Sequence, residues 1–440
     1  MLSVFDATMI TVGIVIGAGI FQTPTLVADI AGSPGAMLLA WILGGALSFI
    51  GALTYAELAT TYPSAGGDYT FLTRAFGRQV SFLFAWARSM VIITGSIALL
   101  GFILGDYLTR LYSLGEFSSA IYASIAVVLL TIVNLAGLRS SSRLQNILTL
   151  VEIGGVLFVA AAGLFLLDAA AAPLQVEETT SNGAGMFGLA MVFVLLTYGG
   201  WNEAAYVSAE VRDGPRAILR TLVISITVIT LVYLVFVGGV LHGLGFDALR
   251  RSSAVGVDVV EGALGPPGGR LIGLLVAAAS LTSMNSTMIV GARTNYSLAR
   301  DWPAFGFMGG WQGERSTPGV GFLVQAGIAL ALIGFGALEK DGFSAMVEFT
   351  APVFWFFFML SGAALFVLRR KDPGARRPFE APLYPVLPAV FVATCAYLFY
   401  SSVMHAHSQN AGFVALGVMA SGVIVLAVMS MKKKRIADSG

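Results

Sequence analysis

Apolar residues run through this chain in long blocks, each closed by a short polar break. About 20 mostly apolar residues are needed to cross the hydrocarbon core of a bilayer as a helix. We read twelve blocks of that length, at residues 5–29, 35–60, 80–109, 118–137, 144–167, 185–210, 217–240, 269–298, 319–337, 343–368, 383–402 and 411–431. The pattern predicts an all-α integral membrane protein of twelve transmembrane helices.

Bulk composition supports the pattern. Of 440 residues, 57% are hydrophobic and 11% charged, against roughly 25% charged in an ordinary soluble domain. No water-soluble fold hides that much apolar surface. Basic residues then orient the spans, because short positively charged loops stay on the cytoplasmic side. With both termini inside, most of the 25 Lys and Arg residues fall on inner loops and the tail, among them Arg74, Arg78, Arg139, Arg143, Arg212, Arg216, Arg220, Arg369 to Lys371 and Lys432 to Arg435. The outer loops keep Arg110, Arg250, Arg251, Arg270 and Lys340, and Glu177 and Glu178 face the same side. The expected location is the cytoplasmic (inner) membrane, crossed many times, with the lipid bilayer as a partner. A net charge of +1 gives no sign of nucleic-acid binding, and the basic tail reads as a topology anchor. One cysteine, Cys395, excludes an intrachain disulfide.

Two spans are interrupted. In the first, Gly13, Gly17 and Gly19 fall near mid-membrane and Pro24 follows; glycine weakens a helix, although small residues also let neighbouring helices pack closely. In the sixth, Thr197-Tyr198-Gly199-Gly200-Trp201-Asn202-Glu203 sets a glycine pair among polar side chains. The interrupted spans are five apart, and a repeated unit of five helices must re-enter the membrane inverted. Inverted repeats with broken helices in matching positions mark the binding site of many secondary transporters. Unwinding frees the N–H groups that begin one half-helix and the carbonyls that end the other. A zwitterion needs both. N–H groups of Ala18, Gly19 and Ile20 suit a carboxylate at a helix's positive end; carbonyls of Val15 and Ile16, and those near Tyr198 and Gly199, suit an ammonium.

At these residues the chain resembles a known family. Ile16-Gly17-Ala18-Gly19-Ile20-Phe21 looks like the Gly-(Ser/Ala)-Gly motif of the amino acid, polyamine and organocation transporter superfamily. Tyr198-Gly199-Gly200-Trp201-Asn202, with Glu210 and Arg216 after it, is similar to the sixth helix of L-type amino acid transporters and their bacterial relatives. Ser283-Met284-Asn285 through Arg293 to Asp301, Phe354-Trp355 and Arg377-Pro378 agree. The resemblance implies a leucine-transporter-type fold, a 5+5 inverted repeat (1–168 and 184–370) within a core of 1–370, with two peripheral helices and the tail in 371–440. It implies α-amino acids as substrates, main-chain groups on Gly17, Ala18 and Gly19, and side-chain recognition near Tyr198, Gly200, Trp201 and Asn202. Human L-type members join a single-span subunit through an outer-loop cysteine, which this chain lacks, so no disulfide-linked accessory subunit is expected.

Ionisable groups inside a membrane are costly and functional by default. Arg88 and Glu152 lie equally deep, about 12 Å in at 1.5 Å per residue, which predicts an ion pair. L-type relatives carry an acid in the third helix and a lysine in the fifth, close to the first break and to the serine that is Ser283 here; the charges look exchanged. Glu152 is expected either to stay tied to Arg88, the preferred reading, or to take up Na⁺ or H⁺. Glu203 could attract cationic substrates, couple to a proton, or brace the sixth helix. Glu57 is expected near water, Asn134 to bridge helices, and Phe356-Phe357-Phe358 to fill the core or face lipid.

No HExxH, Gly-x-Ser-x-Gly or P-loop pattern supports an enzyme, the histidines make no metal set, and no cofactor is implied. Paired breaks favour a carrier over a channel. The expected function is secondary active transport of amino acids by alternating access, as exchange, the alternative being proton- or sodium-coupled symport of amino acids or polyamines.

Overall fold

A computed structural model of the protein describes residues 3–64, 66–135, 142–167, 184–205, 214–308, 319–339, 341–409 and 411–438. The described residues form helices and contain no strand. Nine of the helices are long and apolar enough to cross a membrane: Pro34–Thr61, Arg78–Leu111, Ser118–Leu135, Pro215–Leu244, Pro266–Ala292, Gly319–Gly336, Gly342–Lys371, Val386–Met404 and Phe413–Met431. Each lies on an expected span. The other three expected spans hold shorter apolar helices, Val4–Val15 with Thr23–Ala31, Thr149–Phe165 within Ser142–Phe165, and Ala184–Thr197. Glu177, Glu178, Glu210, Arg139, Arg212 and Lys340 lie outside the described residues.

Local chemistry sets where these helices start. Ser3 Oγ accepts from the Asp6 N–H at 3.1 Å while the Asp6 carboxylate accepts from the Ser3 N–H at 3.2 Å, a reciprocal cap that fixes the first helix. Proline occupies the first turn at Pro34, Pro215 and Pro266, where its missing N–H costs no helical bond. Asp341 caps Gly342–Lys371 by accepting from the N–H groups of Phe343 and Ser344. Pro352 lies inside that same helix, where its missing N–H removes one backbone bond.

The long helices pack side by side, most extensively Gly342–Lys371 on Val386–Gln409, and Ile93–Leu111 also packs on Ser118–Leu135. Pro34–Thr61 packs on Pro215–Leu244, Ile93–Leu111 on Pro266–Asp301, and Ser118–Leu135 on Gly319–Gly336. Helix Val4–Val15 lies against Pro215–Leu244 and Ser142–Phe165, and Thr23–Ala31 against Ala184–Thr197. The expected outer loop 241–268 contains two short helices, Phe246–Arg251 and Val255–Leu264.

Glu57 does not reach water. It is 1% exposed and accepts from Arg369 at 2.8 and 2.6 Å and from the Ala381 N–H at 2.7 Å, with Arg377 3.6 Å away. Sequence depth placed it near the end of its helix, but the segment that follows Gly342–Lys371 folds back over it. Asn134 bridges helices as expected, donating to Asn285 Oδ1 at 2.7 Å.

Candidate functional site

The first helix stops at Val15. Ile16 still donates to the Val12 carbonyl at 2.7 Å, Gly17 is extended, and a 3-10 turn runs over Ala18–Phe21 before helix Thr23–Ala31 begins. The N–H groups of Ala18 and Gly19 open that turn, so they have no partner within it. Ala18 and Ile20 bury their side chains in the core, and Gly17 and Gly19 line a cavity as bare backbone.

The sixth helix breaks beside the first. Ala184–Thr197 ends in a turn at Tyr198 to Gly200, and a 3-10 turn follows over Trp201–Ala205. Gly200 has φ +106°, a conformation that side chains with a Cβ rarely adopt. A Cβ there would also stand 2.9 Å from Ile14 Cγ2, so the two breaks cross in contact. Three hydroxyls tie them together. That of Tyr233 lies 2.6 Å from the Val15 carbonyl and 3.1 Å from the Thr197 carbonyl, and those of Thr23 and Thr197 are 2.7 Å apart.

Between the breaks lies a cavity of about 210 Å³, smaller than the roughly 300–1,000 Å³ typical for drug-sized ligands and suited to a small metabolite. Of the residues expected from sequence, Val15, Gly17, Gly19, Gly199, Gly200, Asn202, Glu203, Arg88 and Ser283 line it. Ile16, Ala18, Ile20, Tyr198, Trp201 and Glu152 do not. The Tyr198 side chain is fully buried and turns the other way, its hydroxyl donating to the Trp41 carbonyl at 3.2 Å. Trp201 packs edge-on to Tyr55, in an aromatic group with Phe358 and Phe391. Neither ring lines the cavity.

The charges pair differently from the expectation. Arg88 Nη2 donates to both oxygens of Glu203, at 2.8 and 2.9 Å, and Arg88 Nε donates to Thr294 Oγ1 at 3.2 Å. Arg88 therefore is not tied to Glu152. Equal depth was correct grounds for possibility, but a pair also requires facing sides. Arg88 opens a single π-helical turn, Arg88–Ile92, a device that rotates the following residues and recurs at functional sites. It faces the second break and helix Pro266–Asp301.

Glu152 sits on Ser142–Phe165, which packs against Val4–Val15 and Pro215–Leu244. It is 4% exposed, and neither carboxylate oxygen has a hydrogen-bond partner among the described residues. The buried hydroxyls of Thr149 and Ser283 are also without partners there. Thr149 Oγ1 abuts Gly13 and Ser283 Oγ abuts Gly17. Thr149 and Glu152, three residues apart, share one face of their helix.

Sequence reasoning missed part of the wall. Phe357 and Phe358 line the cavity, as do Phe193, Phe343 and Phe354; periodicity alone cannot tell a lipid face from a cavity face. Asp68 was also missed. It is 3% exposed, lines the cavity and accepts from the Tyr55 hydroxyl at 2.6 Å. The described residues hold no cluster of His, Cys, Asp and Glu that would bind a metal ion.

Comparison with known proteins bears on this arrangement. A family model described as amino acid permease matches residues 2–428. The chain is 26% identical over 404 residues to the serine/threonine exchanger SteT of Bacillus subtilis, covering 90% of each. It is 28% identical over 432 residues to the human large neutral amino acids transporter small subunit 2, covering 96% of this chain and 78% of that one. With the human cystine/glutamate transporter it shares 26% over 403 residues, 88% of this chain and 77% of the other.

Proposed function

The chain belongs to the amino acid permease family, and from that premise we propose that it exchanges amino acids across the cytoplasmic membrane by alternating access. The family's named members are membrane transporters and exchangers, not enzymes. One observation carries the finer reading: two broken helices cross at a small cavity, and both offer backbone there. A substrate carboxylate would sit at the first break, where Gly17 and Gly19 line the cavity as bare backbone, at the positive end of the half-helix that begins there. Its ammonium would sit against carbonyls that end Val4–Val15 and Ala184–Thr197. The Val15 carbonyl already accepts from both Tyr233 and the Gly17 N–H, so the ammonium is assigned to the carbonyls of Ile16 and Thr197; the Thr197 carbonyl accepts from Tyr233 and keeps a second lone pair for a ligand.

The twelve-span, 5+5 architecture is part of the proposal. Support comes from the packing of the second expected span on the seventh, the third on the eighth and the fourth on the ninth, the partners that a two-fold relation between halves would select. Both termini are taken as cytoplasmic on the distribution of Lys and Arg. Cys395 is the only cysteine and is buried, so the transporter works without a disulfide-linked subunit.

A second reading has its own observation. A carboxylate removed from water without a donor is costly, and Glu152 is in that position. A proton or a cation at Glu152 would remove the cost and couple transport to an ion gradient.

Reconstituted liposomes separate the two. Under the exchange reading, labelled amino acid enters only vesicles loaded with unlabelled amino acid, and Glu152→Gln still exchanges. Uptake into empty vesicles driven by a pH or Na⁺ gradient, and lost in Glu152→Gln, would replace exchange by symport.

A further inference from the structure

The charged side chains that line the cavity are already spoken for by the protein. Arg88 holds both oxygens of Glu203 and adds Thr294. The side chains of Arg88 and Glu203 are 4% and 15% exposed, so solvent does little to screen their bond. Asp68 is the third charged group in the wall. It is the first residue of helix Asp68–Phe76, where the helix dipole favours a negative charge, and it accepts from Tyr55. The rest of the lining carries no charge: apart from the Asn202 amide it is hydroxyl or apolar, as in Ser96, Ser286, Thr287, Leu99, Leu100 and Phe193.

We propose that the Arg88–Glu203 pair is a charge filter, which makes the site select amino acids whose side chains carry no net charge. The inference rests on the amino-acid reading above and adds the substrate class to it. A cationic side chain gains at Glu203 only by competing with a guanidinium 2.8 and 2.9 Å from both its oxygens. A side-chain carboxylate meets an Arg88 whose Nη2 and Nε are already donating. Either newcomer gives up its hydration on entry and finds a nearby dipole instead of a counter-charge, so the loss is not repaid. An uncharged side chain faces no such loss against the apolar and hydroxyl wall.

The pair is thus a specificity-determining element with a signed consequence. Removing Glu203's charge leaves a cation in the wall, and removing Arg88's leaves an anion. Selectivity should move towards anionic side chains in the first case and cationic ones in the second. Exchanging the two residues rebuilds the pair and returns the neutral preference.

The test uses the full-length protein in liposomes loaded with an unlabelled neutral amino acid. Exchange of the labelled neutral amino acid is challenged with neutral amino acids, lysine and glutamate at equal concentration. For the wild type, lysine and glutamate should compete at least about tenfold more weakly than the best neutral competitor. Glu203→Gln should raise glutamate above lysine, Arg88→Gln should raise lysine above glutamate, and Arg88→Glu with Glu203→Arg should restore the wild-type ranking. Ligand-induced thermal shifts of the detergent-purified proteins read the same ranking without requiring transport. If the wild type exchanges amino acids but takes lysine or glutamate as readily as neutral ones, the filter is overturned, whether or not the variants fold. Variants that bind a neutral amino acid with no signed shift overturn it as well. A protein that binds and carries no amino acid would instead sink the reading on which the filter stands.

Discussion

Substituting Gly17 by alanine probes the first break at its tightest point. The backbone there is φ −106°, ψ −164°, an extended conformation open to any residue, so alanine introduces no backbone strain. The obstacle is a neighbour. A Cβ on Gly17 would lie 2.7 Å from Ser283 Oγ but 3.5 Å from Ser283 Cβ, so the hydroxyl alone makes the clash. Overpacking of this kind costs about 1–3 kcal/mol, and the lower figure applies if the hydroxyl turns to another staggered well. Ser283 Oγ is buried with no partner among the described residues, so Ser283→Ala breaks no hydrogen bond and should change stability by less than about 1 kcal/mol. In the double variant the two Cβ atoms meet at ordinary contact distance and most of the loss returns, leaving a coupling of about 1–3 kcal/mol. Thermal unfolding of the four detergent-purified proteins gives the order: wild type and Ser283→Ala high, Gly17→Ala low, the double between them and near the top. An unchanged midpoint for Gly17→Ala, or a double variant no better than Gly17→Ala, would refute the packing argument. Loss of exchange in a double variant that stays stable would further show that Gly17 is needed as bare backbone for the substrate.

Other sites give independent checks. Arg88→Gln leaves Glu203 buried without its cation, and loss of one member of a buried pair costs about 3–5 kcal/mol; thermal unfolding should show a large drop, with partial recovery in the charge-exchanged double variant. Glu57→Gln removes the counter-charge of Arg369, whose side chain is 19% exposed; a loss near the lower end of about 3–5 kcal/mol is expected, with substrate ranking unaltered in competition assays. Tyr233→Phe deletes the hydroxyl shared by the carbonyls of Val15 and Thr197; about 0.5–1.5 kcal/mol of stability should go, and exchange should fall more than stability because both breaks lose a tie. Unchanged exchange by that variant would mean the tie is dispensable.

The sequence exposed the backbone-level features of this protein and concealed the rotational ones. Gly17, Gly19, Gly199 and Gly200 were legible because a chain that must unwind or adopt φ +106° needs glycine, and glycine inside an apolar span is visible without knowing any neighbour. Nine of the expected spans were legible for a similar reason, since length and apolarity are properties of one helix. Pairing is a property of two. Arg88 and Glu152 lie at equal depth, yet Arg88 faces Glu203 and Thr294, because depth follows from counting residues while the facing side depends on how each helix is turned. The π-helical turn at Arg88–Ile92 shifts that side again, and no periodicity rule anticipates it. Tyr198 is the same problem at a break: it stands in the motif, but the dihedral angles of the turn send its ring against Trp41. Asp68 and Phe358 were missed because a loop end and an aromatic run carry no mark of the cavity that the fold brings to them.

The placement of substrate at the two crossing breaks is the centre of the account, and the structure of the protein with a transported amino acid bound tests it most directly. The account predicts ligand in the 210 Å³ cavity, its carboxylate against the bare backbone of the first break at Gly17 and Gly19 and its ammonium on carbonyls at the ends of Val4–Val15 and Ala184–Thr197, with the Arg88–Glu203 pair intact beside it. An amino acid bound elsewhere, or bound there with its carboxylate on Arg88, would contradict it.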